Sequence, residues 1–584
     1  PNILVREKES NFFDYTNATG HYQIQFDFGS PITLEFLEFG KILKTFQLDS
    51  LLVDTNISIS LKNNCGNLNE VIVQAESPIS VKKDTINFKT KFFTTGVEGN
   101  VEELLKKIPG LQIDSEGTIK VGNQEIEKLM VDGDDLFERG YKILSKNMPA
   151  YPIEEVELLK NYSNNRLLKG VEESDKVAIN LKLDEKSKHI WFGNIEISLA
   201  NNSFYQVKGN LMNFGKKNKF YFLTNLNNLG YDATGDIENL IRPFRINEPA
   251  SIGDNQNATS LLNLLPNQLN FKQNRTNFNN AELLSVNAIF NPAENLKIKT
   301  LGFFNWDETD FFRNSIDTVN INSSNFINTE NYELRNKKRI AFGKLDLIYD
   351  ISKTKMLEAT TKYNNGDFYN GANLIFNSNS TIENLQQQNN LFDQKISYTN
   401  KFKDKKVFLL TGRFIDEKTP QNYNLNKFFY QDLFPEKADA NNASQLSENQ
   451  MQFAGIDAHL LDRRKNEHLI ELQLGNEYRK DLLSTTFSLL EDEIVLEQPD
   501  GYQNRTSYQV NDLYFKSKYR LKIQNFGLVG KLDFHQLFNK LENNNNQSNQ
   551  SLFFINPSIG FDWKTNNKNK IVSSYSYNTT NSKI

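Results

Sequence analysis

The residues from Asp512 to Ile523 read DLYFKSKYRLKI, and their polarity alternates from one position to the next. Side chains along a β-strand point alternately to opposite faces, so this stretch predicts a strand with one apolar face and one basic face. After the turn Gln524-Asn525, the next run continues the alternation, with Phe526, Leu528, Gly530, Leu532 and Phe534 on one side. The two runs together predict a long antiparallel hairpin.

The same alternation continues through most of the chain from about residue 190 to the end. We count roughly fifteen candidate strands of about 10–12 residues, long enough to cross a bilayer when tilted. Short polar turns alternate with long loops, which we place at residues 230–279, 307–338 and 418–448. Tight turns on one side and long loops on the other are typical of outer-membrane β-barrels. A soluble meander of strands remains the alternative.

Composition excludes several other classes of protein. The chain has 584 residues, 38% hydrophobic, with a net charge of −5, which does not fit a general nucleic-acid binder. It contains no apolar run long enough for a transmembrane helix, a test that does not apply to barrel strands. Five scattered His residues and the single Cys65 provide no metal-ligand spacing and no disulfide. We find no catalytic motif, and therefore predict no enzyme, no metal and no cofactor.

Two smaller regions precede the alternating one. Residues 1–64 contain short β-type runs at 3–5, 21–26, 32–37 and 57–61, which predict a small antiparallel sandwich. Residues 76–185 mix short strands with a helix at 101–108. That helix carries apolar residues at positions 101, 104, 105 and 108 and ends at Pro109-Gly110. The sequence therefore predicts a mainly β protein with an α+β region between two β regions.

The α+β region resembles the plug of TonB-dependent outer-membrane receptors of the Bacteroidota type. Five motifs occur in the family's order. They are the opening segment LNEVIVQA at 68–75, the helix and Pro-Gly turn LLKKIPGLQI at 104–113, VDG at 131–133, IEEVE at 153–157 and VAINLKL at 177–183. Residues 1–64 are similar to the end of a carboxypeptidase-regulatory-like sandwich, which often precedes such plugs.

The resemblance implies an organisation for the whole chain. Residues 1–64 would be the partial sandwich, 65–75 a TonB-box-like segment, 76–185 the plug, and 186–584 a transmembrane β-barrel. The family fold has about 22 strands, so we expect the barrel to continue beyond the last residue. The plug motif residues are Pro109, Gly110, Asp132, Gly133, Glu154, Glu157 and Asn180.

The opening segment would bind a TonB-type periplasmic energy transducer. An extended strand can add to the edge of a partner's sheet through main-chain hydrogen bonds. The residues concerned are Leu68, Glu70, Val71, Ile72 and Val73. An internal strand of the plug or the sandwich is the alternative reading of the segment.

These features lead to two hypotheses for function. The first is energised import of an unidentified ligand through a plugged barrel in the cell outer membrane. The second is a plugged barrel without transport, acting as a structural subunit of an assembly or secretion complex with surface lipoproteins or other outer-membrane subunits. The residues KVGN at 120–123 stand where transporters commonly carry an Arg-Gly pair, which favours the second. A soluble surface adhesin is a third, weaker hypothesis.

Charged residues supply two further expectations. The acidic run DGDD at 132–135 lacks the spacing of a calcium loop, so we interpret it as a solvated turn. The polar faces of the strands carry charges of both signs, which would either hold the plug or simply be solvated. These are Lys344, Asp346, Lys516, Lys518, Arg520, Lys531 and Asp533.

Overall fold

The computed structural model describes most of the residues of the chain. They are residues 2–10, 12–25, 31–38, 40–49, 54–61, 76–115, 117–231, 233, 238–241, 249–264, 278–321, 324–403, 405–437, 439–464, 466–544, 546–566 and 569–579. The chain divides into two compact units, residues 1–76 and 77–584.

The first unit contains a four-stranded antiparallel sheet in the order β2-β1-β3-β4. Its strands are β1 (Leu4–Glu7), β2 (Phe13–Tyr15), β3 (Ile32–Glu38) and β4 (Lys41–Leu48). The predicted strands at 21–26 and 57–61 are not strands where they are described. Their alternating apolar side chains still pack against the sheet, so the alternation indicated burial correctly but not pairing.

The second unit begins with an α+β region, residues 79–183, which we call the plug. Its strands are β5 (Ile79–Lys82), β6 (Thr85–Lys89), β7 (Leu111–Ile113), β8 (Ile119–Val121), β9 (Gln124–Glu125), β10 (Lys128–Val131), β11 (Asp134–Asp135), β12 (Ile153–Lys160) and β13 (Val177–Leu183). Its helices are α1 (Val101–Lys106) and α2 (Tyr141–Asn147). The IEEVE motif at 153–157 lies in strand β12.

One mixed sheet organises the plug, in the order β11-β10-β13-β12-β6-β5. Strands β10 and β13 are parallel, and the other pairs are antiparallel. Helix α1 has the predicted apolar face, with Val101, Leu104 and Leu105 fully buried. The Asn100 side chain accepts a 3.0 Å hydrogen bond from the Glu103 backbone N–H, which caps the helix where the sequence places its start.

The rest of the unit is one antiparallel sheet of 17 strands in chain order, which we call the wall. Its strands are β14 (Trp191–Leu199), β15 (Tyr205–Phe214), β16 (Asn218–Asn227), β17 (Phe278–Ala293), β18 (Leu296–Ile321), β19 (Ser324–Ser352), β20 (Lys355–Phe376), β21 (Asn379–Lys403), β22 (Lys406–Lys418), β23 (Gln421–Leu425), β24 (Asn442–Arg463), β25 (Leu469–Glu491), β26 (Ile494–Glu497), β27 (Asn504–Ile523), β28 (Phe526–Asn543), β29 (Asn546–Lys564) and β30 (Lys570–Ser576). A short helix, α3 (Glu238–Ile241), lies between β16 and β17. The predicted fold class, mainly β with a large antiparallel sheet, is confirmed.

Several wall strands are much longer than the 10–12 residues expected. Strand β18 has 26 residues and β19 has 29. The expected loop at 307–338 was wrong, because β18 and β19 stay paired there from Asp307↔Lys338 to Ile321↔Ser324. In the loop expected at 418–448, β23 and the start of β24 are also strands. Alternation is weak in these polar ends, but backbone pairing continues without it.

The two faces of the wall separate as the alternation predicts. Leu345 and Tyr349 of β19 are exposed on the outer face, whereas Phe342 and Lys344 are buried on the inner face. The outer face also carries Trp191, Trp306 and Trp563, all exposed. The plug touches the inner face at strands as distant as β16 and β27, so the wall curves around it. None of the helices within the described ranges is both long and apolar enough to cross a membrane.

Replacing the cap of helix α1 should loosen the plug locally. In Asn100→Ala the Glu103 amide loses its acceptor, and we expect the α1 amides to exchange hydrogen about fivefold faster, equivalent to about 1 kcal/mol. Hydrogen-exchange mass spectrometry of the full chain measures this. Asn100→Ser, which keeps a cap oxygen, should stay within about twofold of the parent rate. Equal acceleration in both variants would show that the cap is not responsible.

Candidate functional site

Four of the predicted plug motif residues meet at one turn between β10 and β11. Asp132 and Gly133 both have positive φ values, 47° and 78°, so the chain reverses sharply there. The Asn180 side-chain oxygen accepts a 2.8 Å hydrogen bond from the Gly133 backbone N–H. Its amide nitrogen donates to Glu157 at 2.7 Å, and Glu157 pairs with Lys182 at 2.6 Å. Asn180 therefore ties the turn to β12 across the sheet.

The other three motif residues lie elsewhere in the plug. Pro109 and Gly110 form the turn after α1, where Gly110 has a φ of 86°. Glu154 is exposed on β12, and its backbone carbonyl accepts a 2.9 Å hydrogen bond from the Thr90 hydroxyl. The motif is therefore one assembled turn plus two separate structural positions. Whether these residues act in function remains a prediction.

The acidic residues that follow the turn are buried, so their interpretation as a solvated turn was wrong. Asp134 lies 2.7 Å from the Lys219 Nζ of β16 and 2.5 Å from the Lys297 Nζ of β18. Asp135 lies 2.7 Å from the Lys128 Nζ within the plug. The run lies at the surface of the plug that faces the wall. There the wall lysines contact Asp134 in place of water.

The electrostatics of this contact favour the charged carboxylates. Burial alone would raise the pKa of Asp134, but the nearby ammonium groups of Lys219 and Lys297 outweigh it and hold that pKa below its ordinary value. Lys128, assisted by Lys299, likewise outweighs burial and lowers the pKa of Asp135. Both carboxylates are thus ionised at neutral pH.

A third acidic residue extends the contact along the plug. Glu138 lies 2.5 Å from the Lys344 Nζ of β19, which also pairs with Asp346 at 2.8 Å. We call Asp134, Asp135 and Glu138, with the wall lysines Lys219, Lys297 and Lys344, the acidic seat. Of these lysines, only Lys344 is among the residues noted from the sequence, as a charge that would either hold the plug or be solvated, and it contacts the plug.

A different segment of the plug, residues 163–173, makes further contacts with the wall. Arg166 donates to Asp350 with its Nε at 3.0 Å and to the Lys353 carbonyl with its Nη1 at 3.1 Å, next to the β19–β20 turn. The carbonyl of Val171 accepts a 2.8 Å hydrogen bond from the Nε of Arg463 on β24. Two inner-face charges noted from the sequence, Lys518 and Arg520, lie near Glu173, at 3.6 Å and 2.7 Å.

Apolar packing joins the plug to only part of the wall. Phe137 meets the Tyr221 ring of β16 edge-on, with the centroids 5.1 Å apart. This pair belongs to one apolar cluster that runs from the plug core into strands β14–β19. Toward strands β22–β27, contact is mostly polar, apart from a small cluster around Leu168 and Val171. The plug is thus seated asymmetrically.

The predicted TonB-binding residues, Leu68, Glu70, Val71, Ile72 and Val73, lie outside the described residues. The described chain resumes at residue 76, directly before β5 of the plug. In the described part of the chain, no group of three or more His, Cys, Asp or Glu side chains is placed to hold a metal ion.

Several solved structures match most of this chain at low sequence identity and low TM-score. The ferric yersiniabactin uptake receptor FyuA from Yersinia pestis matches with a TM-score of 0.35 and 10% identity, over 85% of each chain. The siderophore receptor PiuA from Acinetobacter baumannii matches with a TM-score of 0.30 and 11% identity, over 86% of this chain and 79% of that one. The copper transporter OprC matches with a TM-score of 0.27 and 10% identity, over 85% of this chain and 80% of that one.

No protein-family model matches the chain, and no curated protein sequence matches it. All these TM-scores are low, and none of these likenesses assigns a function to this chain.

Neutralising the seat should loosen the plug. Asp134→Asn leaves the buried Lys219 and the partly buried Lys297 without a carboxylate, and we expect it to destabilise the plug by about 3 kcal/mol. The urea concentration at which a protease begins to cut the plug of the full chain measures this. The matched control is Asp114→Asn, whose partner Lys120 is 3.7 Å away and exposed. This change should lower the free energy of unfolding of the plug by less than about 1 kcal/mol. Equal effects of the two substitutions would contradict a stabilising role for the acidic seat.

The seat should also respond to acid. Because the folded pKa of Asp134 is lowered, its stabilisation is complete above the ordinary aspartate pKa and is lost as pH falls through the lowered value. We expect the protease-protection midpoint to stay level from neutral pH to about pH 5 and to drop below about pH 4. Asp134→Asn should flatten part of that drop. An unchanged acid profile in this variant would show that other carboxylates cause it.

Proposed function

We propose that this chain is a plugged outer-membrane receptor that imports an unidentified ligand, driven by a TonB-type periplasmic energy transducer. The observation that carries the proposal is the plug itself. A folded α+β region lies inside a curved sheet of 17 strands, and its contacts with β24 and β27 are mainly polar. Hydrated polar contacts rearrange at lower cost than an apolar core, so a pulling force could loosen such a plug.

The outer face of the wall supports the outer-membrane location. Its apolar side chains are exposed strand after strand, which water would disfavour and lipid would not. Trp191 and Trp563 lie near the strand ends with short turns, and Trp306 lies several residues further along β18. Two levels of exposed aromatic residues are typical of the two membrane interfaces.

A charge placed in the middle of this face tests the location. Leu345→Arg on β19 should destabilise the folded sheet by about 2–4 kcal/mol in lipid, because the guanidinium would face the bilayer core. Ile351→Arg is the matched control, since it lies at the turn end of the same strand and should cost about 0–1 kcal/mol. Heat-modifiable gel migration of protein refolded into vesicles measures the folded fraction. Equal effects at the two sites would contradict a lipid-facing surface.

Energised import requires a physical link to the transducer. We propose that residues 68–75 supply it by adding as a strand to the transducer's sheet, as the resemblance implies. The described plug begins directly after this segment, so force on the segment would reach β5 and β6 first. In this proposal residues 1–64 form a carboxypeptidase-regulatory-like domain on the periplasmic side.

Cross-linking tests the link. A photoreactive residue at Val71 in the full-length protein should give an adduct with the transducer, and Val73→Pro should abolish it by removing a backbone donor. Val73→Ala keeps the donor and should retain most of the adduct. If no adduct forms and other outer-membrane proteins are recovered in stoichiometric amounts, the scaffold hypothesis replaces import. The KVGN sequence at 120–123 is the feature that favours that outcome.

A further inference from the structure

One segment of the interior does not belong to the plug. Residues 249–264 lie between β16 and β17 along the chain, within the long loop expected at 230–279. Instead of extending outward, they pack on the inner face of the wall at β21–β25, distant strands in the sheet order. We call residues 249–264 the strap.

An apolar anchor fixes one end of the strap. Ile252 is only 6% exposed and packs in a cluster of wall side chains that includes Ile415, Met451 and Phe453. The next residue, Gly253, has a φ of 73°, and a Cβ there would lie 2.6 Å from the Phe453 ring. Only glycine fits this conformation and this close approach, so the strap is pressed against the wall.

A buried arginine of β22 joins the strap to the wall next to that anchor. The Nη1 of Arg413 donates to the Ile252 carbonyl at 2.8 Å and pairs with the carboxylate of Asp254. The same guanidinium makes a two-point contact with Asp393 of β21, with nitrogen–oxygen distances of 2.9 and 2.8 Å. Arg413 therefore bridges one strap carboxylate and one wall carboxylate in a buried site.

A second arginine, on β25, repeats this arrangement. Arg479 donates to the Gln256 side-chain oxygen at 2.5 Å and to the Asn257 carbonyl at 3.2 Å. It also makes two 2.7 Å contacts with Asp481 of its own strand. Since Gln256 is itself buried, loss of this contact would leave buried polar groups unsatisfied.

Further along the strap, wall side chains form hydrogen bonds with its backbone groups. The Ala258 N–H donates to the Glu417 carboxylate at 2.5 Å. The amide oxygen of Gln421 accepts from the N–H groups of Leu261 and Leu262 at 2.8 and 3.1 Å, and its nitrogen donates back to the Leu262 carbonyl. The backbone groups of a solvent-exposed loop can bond to water, so they do not need such a series of protein partners.

We propose that the strap is a second internal barrier, latched to the wall by Arg413 and Arg479 separately from the plug, which covers the inner face of β21–β25. It lies on the part of the wall where the plug's own contacts are mostly polar, so plug and strap close different parts of the interior. The proposal extends the import function above and rests on it in one respect. A ligand travelling along this side would have to displace the strap as well as the plug.

Thiol accessibility tests the latch without any transducer or ligand. The probe is Met451→Cys in a Cys65→Ser background, because Met451 is fully buried on the wall beneath Ile252. A maleimide reagent is applied to the purified full chain in lipid vesicles. In Asp254→Asn, which keeps the shape of the side chain but removes its charge, we expect labelling to be roughly tenfold faster or more.

The matched control breaks a plug–wall ion pair and leaves the strap contacts intact. Asp350→Asn removes the partner of Arg166 and should leave Met451→Cys labelling within about twofold of the parent. If both changes accelerate labelling equally, the strap moves with the plug and is not a separate barrier. If Asp254→Asn labels at the parent rate, the arginine latch does not hold the strap.

A second variant acts through shape rather than charge. Gly253→Ala introduces the clashing Cβ and should also accelerate labelling by roughly tenfold, since the strap cannot sit as close to the Phe453 ring. Heat-modifiable migration confirms that each variant retains a folded wall. Parent-rate labelling in a folded Gly253→Ala protein would overturn the proposal. Failure of the Val71 cross-link would refute the import function and leave these labelling results unchanged.

Discussion

The inner face of the wall carries many charged and amide side chains, and the burial of these polar groups is the constraint from which the rest of the interior follows. The outer face exposes residues such as Leu345 and Phe515, while the inner face carries lysines, aspartates and amides. A polar surface enclosed by a curved sheet has to be met by water or by other polar groups. In this chain the plug and the strap both supply such groups.

The plug meets that constraint in two ways. Against strands β14–β19 its apolar core continues into the wall, with Phe137 packed on Tyr221, and the acidic seat lies beside this contact. Against β24 and β27, backbone carbonyls and Glu173 meet Arg463 and Arg520. Separating the apolar contact exposes apolar surface to water, which is unfavourable. The charged groups of an ion pair can instead be solvated by water and screened by salt ions. The two sides of the plug therefore differ in how readily they release.

The strap meets the same constraint with backbone groups as well as side chains. A segment without a strand partner has N–H and carbonyl groups that cannot be buried unsatisfied. Arg413, Arg479 and Gln421 satisfy several of them from the wall. The wall is thus both a sheet with exposed apolar side chains on its outer face and a set of side-chain partners for two separate internal segments.

The sequence by itself determined the elements whose signal is local. Alternation predicted the wall strands and their faces, and apolar spacing predicted a helix at 101–108, of which Val101–Lys106 is helical. The motif VAINLKL at 177–183, which resembles the last strand of the family's plug, is strand β13. Strand ends were less well predicted, since β18 and β19 stay paired through polar residues where alternation fades.

Only the tertiary structure decided which charges are buried and where the long loop goes. Asp134 and Asp135 look solvated in sequence, and Lys219 and Lys297, which meet Asp134, are distant along the chain. Asp254 and Arg413 are likewise 159 positions apart. A charged side chain is buried only when an oppositely charged group lies close enough to replace water. The curvature of the wall decides which groups come that close. Curvature is a property of the whole sheet, so no local stretch of sequence encodes it.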